Sequence, residues 1–181
     1  EMQRSLVGSE MCIRDRSRMD ALTKICNRGY GEAQIEKLLK AKKNGMFLLF
    51  DVDKFKHIND TYGHSIGDEV LIQVADALKQ TFEQAGVCMR LGGDEFAVYA
   101  PEITEQMQAE TMIQAFFERI RNIAIPQMEG DAISVSLGAV LCAPDREHVF
   151  EKVYQRADAT MYTCKKVIGN SYDFYTGRNP A

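Results

Sequence analysis

The chain is 181 residues long, 45% hydrophobic and 27% charged, with a formal net charge of -4. That length suits one domain with a proper core, and the balance of charge excludes the basic excess that sequence-independent nucleic-acid binding requires. Its five cysteines form no Cys-x-x-Cys pair and leave one over in any disulfide scheme, which points to a reducing cytosol, and no apolar run has the length of a membrane span or the form of a signal peptide.

Residues 1–19 are set aside as a non-native or linker segment. The stretch from Ser5 to Arg16 resembles translated sequencing-adapter DNA, with a native linker helix as the alternative, and the natural N-terminus is expected to be missing. From Arg28 to about Lys43, residues Tyr30, Ile35, Leu38 and Leu39 fall at helical spacing, and Asn44-Gly45 supplies a stop. Met46 to Phe50 is a continuous apolar run, the pattern of a strand covered on both faces, and it ends abruptly at Asp51-Val52-Asp53. A polar loop is expected through Asn59, His64 and Gly67. Leu71, Val74, Ala75, Leu78 and Phe82 then predict a helix to about Ala85, with Ser65 as its cap.

Val87 to Leu91 and Phe96 to Ala100 read as two strands around Gly92-Gly93-Asp94-Glu95, a hairpin whose turn carries two acids. Ile113, Phe116, Ile120 and Ile123 predict a helix, the alternation of Ile133, Val135 and Leu137 a strand, and Val153, Ala157 and Met161 another helix. A last strand is expected from Tyr172 to Tyr175. Without regular βαβ repetition, and with a hairpin that demands antiparallel pairing, the fold class is α+β, a mainly antiparallel sheet flanked by helices. One domain is expected over residues 20–176, followed by a tail at 177–181.

Two of the acids suit a hard cation. Magnesium takes oxygen ligands, usually one or two carboxylates with substrate phosphate and water, and Asp51 at a strand's exit and Glu95 at a hairpin turn meet that need if the sheet aligns them. The competing reading is that Asp51, Asp53, Asp94 and Glu95 merely punctuate strand ends. Lys54 and Lys56 stand where they would meet phosphate charge, and Asn59 and Asp68 carry groups able to read a guanine edge. His64 is either a ligand contact or a stabiliser of its own loop. The histidines and cysteines lack zinc-ligand spacing, and no nucleophile elbow of a serine hydrolase is present.

Arg90-Leu-Gly-Gly-Asp-Glu-Phe96 resembles the signature of GGDEF domains, the diguanylate cyclases. Asp51-Val-Asp-Lys-Phe-Lys-His-Ile-Asn-Asp60, followed by Tyr62-Gly-His-Ser-Ile-Gly-Asp68, is similar to two further blocks of that family, and Asp20 to Arg28 resembles its opening motif. Val135 to Gly138 and Ala157 to Lys165 resemble its closing blocks. The resemblance covers roughly Asp20 to Tyr175 and implies a palm-like nucleotidyl cyclase fold. It implies that Asp51, the Val52 carbonyl and Glu95 hold metal, two magnesium ions per GTP with manganese as the alternative, and that Asp94 or Glu95 helps deprotonate the attacking hydroxyl. Asn59, His64 and Asp68 would recognise the nucleotide, while the amides of Lys54, Phe55 and Lys56 and the Lys165 side chain would face its phosphates. Gly92 and Gly93 would let the nucleotide approach the backbone.

The implied reaction condenses two GTP into cyclic di-GMP across a homodimer, in a cytoplasmic protein whose upstream sensor or receiver domain is absent from this chain; neither nucleic acid nor a membrane is an expected partner. The pattern departs from the family in three places. Lys24-Ile25-Cys26 replaces a glycine-leucine start in the opening motif, and Gly169 stands where the family carries an arginine on the triphosphate, with Lys166 as its expected substitute. Glu83 and Gly86 occupy the positions of an RxxD product-inhibition site, so no feedback through it is expected. The rival readings are a catalytically silent GTP-binding or dimerisation module and a palm-type cyclase using ATP.

Overall fold

The computed structural model describes residues 18–143 and 148–177. All of the segment set aside at the N-terminus except Arg18 and Met19, and all of the tail except Gly177, lie outside the described residues. Six strands, β1 (Cys26–Asn27), β2 (Gly45–Val52), β3 (Val87–Gly92), β4 (Glu95–Pro101), β5 (Val135–Cys142) and β6 (Ser171–Phe174), form one sheet in the order β1-β3-β4-β2-β5-β6. The three inner pairings are antiparallel, and β1 with β3 and β5 with β6 are parallel.

Among the described residues five α-helices cover the sheet: α1 (Arg28–Lys40), α2 (Phe55–Tyr62), α3 (His64–Phe82), α4 (Gln106–Arg121) and α5 (Phe150–Cys164). Helix α1 begins where the Asn27 side chain accepts a hydrogen bond from the Tyr30 N–H at 3.0 Å. It stops at Lys40, short of the expected Lys43, because Lys42 takes a left-handed φ of 53° and the Lys43 N–H turns back to the Leu38 carbonyl. The polar loop expected after β2 is instead helix α2. Its apolar residues Phe55, Ile58 and Tyr62 stand at helical spacing, but over eight residues, with only Ile58 buried, they are too few to announce a helix. Gly63, at φ 86°, separates it from α3, and this glycine occupies the cap position expected of Ser65. Helix α3 ends at Phe82, and Ala85 lies in the turn beyond it.

Strand alternation divides the core into two layers. Met46, Leu48, Phe50 and Val52 of β2 face a cluster with Val74 and Leu78 of α3 and Phe116 and Ile120 of α4. Phe47 and Leu49 face the other side, against Ile35 and Leu39 of α1 and Val153, Ala157 and Met161 of α5. Both faces of β2 are therefore covered, as its continuous apolar run predicts. The described cysteines Cys26, Cys88, Cys142 and Cys164 are all free. Burial pushes the thiols of Cys88 and Cys142 up to about 12 and that of Cys164 to about 11, which leaves them inert at neutral pH.

The position of α5 depends on Gly138. A Cβ there would run into the Ala157 carbonyl and the Met161 amide, so only glycine lets this helix lie directly on β5. We predict that Gly138→Ala lifts α5 from the sheet at a cost of about 1–3 kcal/mol. Thermal unfolding should read this as a fall in Tm of roughly 2–4 °C per kcal/mol.

Candidate active site

At the end of β2 the same alternation that buries Phe47 and Leu49 under α5 turns Asp51 to the α5 side. Glu95 is aligned with it on β4 and Ser136 on β5, in register across three adjacent strands. Asp51 is only 7% exposed. The C-terminal end of α5 delivers Lys165 to it, with Nζ 2.5 Å from Asp51 Oδ2. Asp94 lies in the β3–β4 turn beside them, and its carbonyl accepts the Val52 N–H at 3.3 Å. In an extended residue the N–H and C=O leave on the same side, so the Val52 carbonyl is also turned toward the β3–β4 hairpin.

One ammonium therefore serves several carboxylates. Burial raises the Asp51 carboxyl above its usual range; the Lys165 hydrogen bond and charge pull the other way, while Asp94 and Asp53 add to the rise. Glu95 is likewise raised, by burial first and then by the charges of Asp158, Asp51 and Asp94. Burial alone would lower the Lys165 ammonium, but its hydrogen bond to Asp51 and the charges of Asp51, Asp94 and Glu95 win and hold it protonated. A site with this much uncompensated negative charge favours a cation.

The hairpin turn has its own brace. Gly92 and Gly93 have φ of 149° and 56°, and a Cβ on either would meet nothing within 4 Å, so within the protein the need for glycine is conformational rather than steric. Arg90 donates from Nε and Nη2 to the Gly93 carbonyl at 3.0 and 2.7 Å, and from Nη1 to Asp20 Oδ1 at 3.1 Å. The same Asp20 oxygen accepts from the Thr23 N–H and hydroxyl at 2.9 and 2.7 Å. Burial would raise the Asp20 carboxyl, but the Thr23 and Arg90 hydrogen bonds bring it below its ordinary value. The opening motif and the turn are thus one hydrogen-bonded unit.

The remaining expected residues gather on α2 and α3. Lys54, at φ 54°, turns the chain out of β2 and into α2, whose first turn has no side-chain cap, so the amides of Phe55 and Lys56 open a helix N-terminus beside the acids. Asn59 and Phe55 pack against Gly67 of α3, where a Cβ would collide with the Asn59 side chain. Asp68, next along α3, and His64, at its start, are exposed, as are Lys54 and Lys56. The expected residues therefore fall into two groups, the acids with Lys165 and the α2–α3 pair, joined through Asp53 and Lys54.

Three features went unread in the sequence. Asp158 of α5 is close enough to raise Glu95, Arg90 clasps the turn, and Asp53 hydrogen-bonds to serines of the β5 side. Each carried a signal only as a member of its motif, Asp158 in the closing block, Arg90 in the signature and Asp53 in the acidic block. At the departures, Gly169 takes a φ of 85°, a conformation that an arginine would adopt only with strain. Lys166 lies with Nζ 5.7 Å from the centre of the Tyr162 ring. Glu83 pairs with Lys79 at 3.7 Å, beside a cavity of about 250 Å³ that Gly86 also lines.

Among the described residues no three His, Cys, Asp or Glu side chains converge to cage a metal alone. Two carboxylates on adjacent strands, with an ammonium already in the position of a cation, nevertheless fit a hard divalent ion whose shell is completed by phosphate and water.

The chain is similar to known proteins over most of its length. The family described as "Diguanylate cyclase, GGDEF domain" matches residues 17–171. The chain is 36% identical over 160 residues to diguanylate cyclase DosC of Escherichia coli strain K12, covering 82% of this chain and 33% of that protein. It is 30% identical over 166 residues to the uncharacterized protein YtrP of Bacillus subtilis strain 168, covering 90% of this chain and 28% of that one. It thus spans about a third of the length of these curated relatives. Among solved structures, the coiled coil and GGDEF domain of DgcB from Caulobacter crescentus, in complex with c-di-GMP, superposes with a TM-score of 0.85 at 23% identity, covering 94% and 92% of the two chains. The GGDEF domain of TpbB from Pseudomonas aeruginosa gives 0.78 at 27% identity, covering 90% and 96%.

The brace on the turn is measurable. A double-mutant cycle with Arg90→Ala and Asp20→Ala in urea unfolding should return a coupling of about 1–3 kcal/mol. Because the Asp20 carboxyl is lowered on folding, the stability that it brings is complete above its unfolded value of 3.8 and is lost as the pH falls through its folded one. The coupling should therefore fade in acid.

Proposed function

The chain belongs to the GGDEF domain family, and from that premise we propose that it is a diguanylate cyclase, condensing two GTP into cyclic di-GMP with release of two pyrophosphates. The observation that carries this reading is the registered pair Asp51 and Glu95, met by Lys165 on the α5 face of the sheet. The carboxylates of Asp51 and Glu95, with the Val52 carbonyl, would hold divalent magnesium, two ions per GTP, or manganese in its place. When bound, the metal neutralises charge developing at the α-phosphate and lowers the pKa of the attacking 3′-hydroxyl.

The chain's own residues do the rest. The α2 N-terminus presents the amides of Phe55 and Lys56 to the β- and γ-phosphates, where the helix dipole favours negative charge. Lys165, held protonated by its acidic neighbours, is free to move from Asp51 to a phosphate oxygen once a cation takes its place. Asn59, at the α2–α3 contact, and His64 and Asp68, exposed on α3, read the guanine, and the open space over Gly92 and Gly93 lets the nucleotide approach the turn. The proton of the 3′-hydroxyl passes to Asp94 or Glu95. Each domain holds one GTP, so two copies must face each other, and that approach supplies the positional part of catalysis. A sensor or receiver domain in the remainder of a longer protein would control the approach, in the cytoplasm where GTP is supplied.

The second reading is a GTP-binding or dimerisation module without turnover. Gly169, where the family carries an arginine, is the observation in its favour. The two are separated by incubating the purified domain with GTP and magnesium, with and without a fused dimerising coiled coil, and following cyclic di-GMP by chromatography. The cyclase reading predicts product that falls by at least ~100-fold in Glu95→Gln, rises with the coiled coil, and continues to accumulate when cyclic di-GMP is added, since Glu83 and Gly86 do not form the inhibition site. GTP binding without product in either form would leave only the silent module.

A further inference from the structure

Asp53 lies two residues beyond Asp51 in the same acidic block, yet its carboxylate is committed elsewhere. Oδ2 accepts a hydrogen bond from the Ser134 hydroxyl at 2.6 Å, and Oδ1 accepts one from the Ser136 hydroxyl at 2.7 Å. The Asp53 N–H donates to the Ser134 carbonyl at 2.9 Å. Ser136 is fully buried and stands opposite Asp51 in the β2–β5 register, so its hydroxyl has no water to turn to if Asp53 leaves.

The position of this clasp gives it a consequence. Successive amides are tied to opposite sides, Val52 to the Asp94 carbonyl at 3.3 Å and Asp53 to the Ser134 carbonyl at 2.9 Å. The next residue, Lys54, is not glycine and yet takes a left-handed φ of 54°, a conformation that persists only where the surroundings over-determine it. That step sets the direction of α2 and of its N-terminal amides. The carbonyl of Val52 and the first turn of α2 are therefore held in place by a residue whose own carboxylate is bonded to the serines of the β5 side.

We propose that Asp53 is a positioning residue: clasped by Ser134 and Ser136, it fixes the Val52 carbonyl and the Lys54 step, and so sets the affinity of the site for the metal-bound triphosphate. This rests on the reading of the site as a nucleotide cyclase. It differs from the alternative that the acidic block suggests, in which Asp53 is itself a metal ligand alongside Asp51.

Serine-to-alanine changes distinguish the two. In Ser134→Ala/Ser136→Ala the Asp53 carboxylate is intact and released, whereas in Asp53→Asn the carboxylate is lost but the clasp is kept, since the amide oxygen accepts from one serine and the amide nitrogen donates to the other. The affinity for magnesium-GTP is measured by calorimetric titration, and the GTP KM and the magnesium requirement by turnover, all below the unfolding temperature of each variant. A positioning role predicts that the double serine variant and Asp53→Ala weaken affinity and raise the magnesium requirement by ~10-fold or more, the range for removing the partners of a metal site's ligands. It also predicts that kcat at saturation changes less than KM, and that Asp53→Asn stays within about threefold of wild type. A metal-ligand role predicts the reverse order, with Asp53→Asn as damaging as Asp53→Ala and the double serine variant binding like wild type; that result overturns the proposal. If the wild type binds magnesium-GTP but makes no product, the cyclase reading fails while the titrations still decide the role of Asp53. If it binds no magnesium-GTP, both fall.

Discussion

The antiparallel pairing of β2 with β4 sets Asp51 directly opposite Glu95, and like charges at facing positions of a sheet repel. Burial aggravates the repulsion, since both carboxyls are raised above their ordinary values with desolvation as the leading cause. Much of the surrounding structure can be understood as what makes this placement tolerable. Lys165 neutralises one of the acids, and it arrives only because Gly138 lets α5 lie against β5. Asp53, whose charge adds to the rise of Asp51, is engaged by two serine hydroxyls. The turn that carries Asp94 is held by Arg90 through the Gly93 carbonyl. An arrangement that spends stability in this way is expected where charge is to be met by a ligand.

The layers of the fold were legible in the sequence because burial leaves a period. β2 read as a doubly covered strand from its unbroken apolar run, and the β3–β4 hairpin from its glycine turn, and both are present. The helices around Leu71, Ile113 and Val153 followed from the 3.6-residue spacing of their apolar faces. Helix α2 was not legible. Its apolar positions Phe55, Ile58 and Tyr62 span little more than two helical turns, set among polar residues between a left-handed Lys54 and Gly63. The two-residue β1, paired in parallel with β3, is likewise too short to carry an alternation.

At the site, the identities of the acids were legible but their partners were not. The contact between Lys165 and Asp51 joins the end of α5 to the end of β2, and no local pattern encodes a pairing so distant in the chain. The clasp on Asp53 has the same character, because Ser134 and Ser136 become its neighbours only through the β2–β5 register. Arg90 was visible as part of a motif, while its role as a fork between Gly93 and Asp20 required the turn's geometry. Periodicity locates elements, whereas the chemistry of this site is decided by which ends of those elements the sheet brings side by side.

The central claim is that Asp51 and Glu95 act together as one cation site for a nucleotide. It is tested most directly by titrating manganese-GTP into the wild type, Asp51→Asn, Glu95→Gln and the doubly substituted protein, with bound manganese followed by its paramagnetic signal. The account predicts that each single change removes most of the binding and that the double change removes little more, because both carboxylates hold the same metal-nucleotide complex. Single variants that bind manganese-GTP as the wild type does, or losses that simply add, would mean that the two acids belong to separate sites and would contradict it.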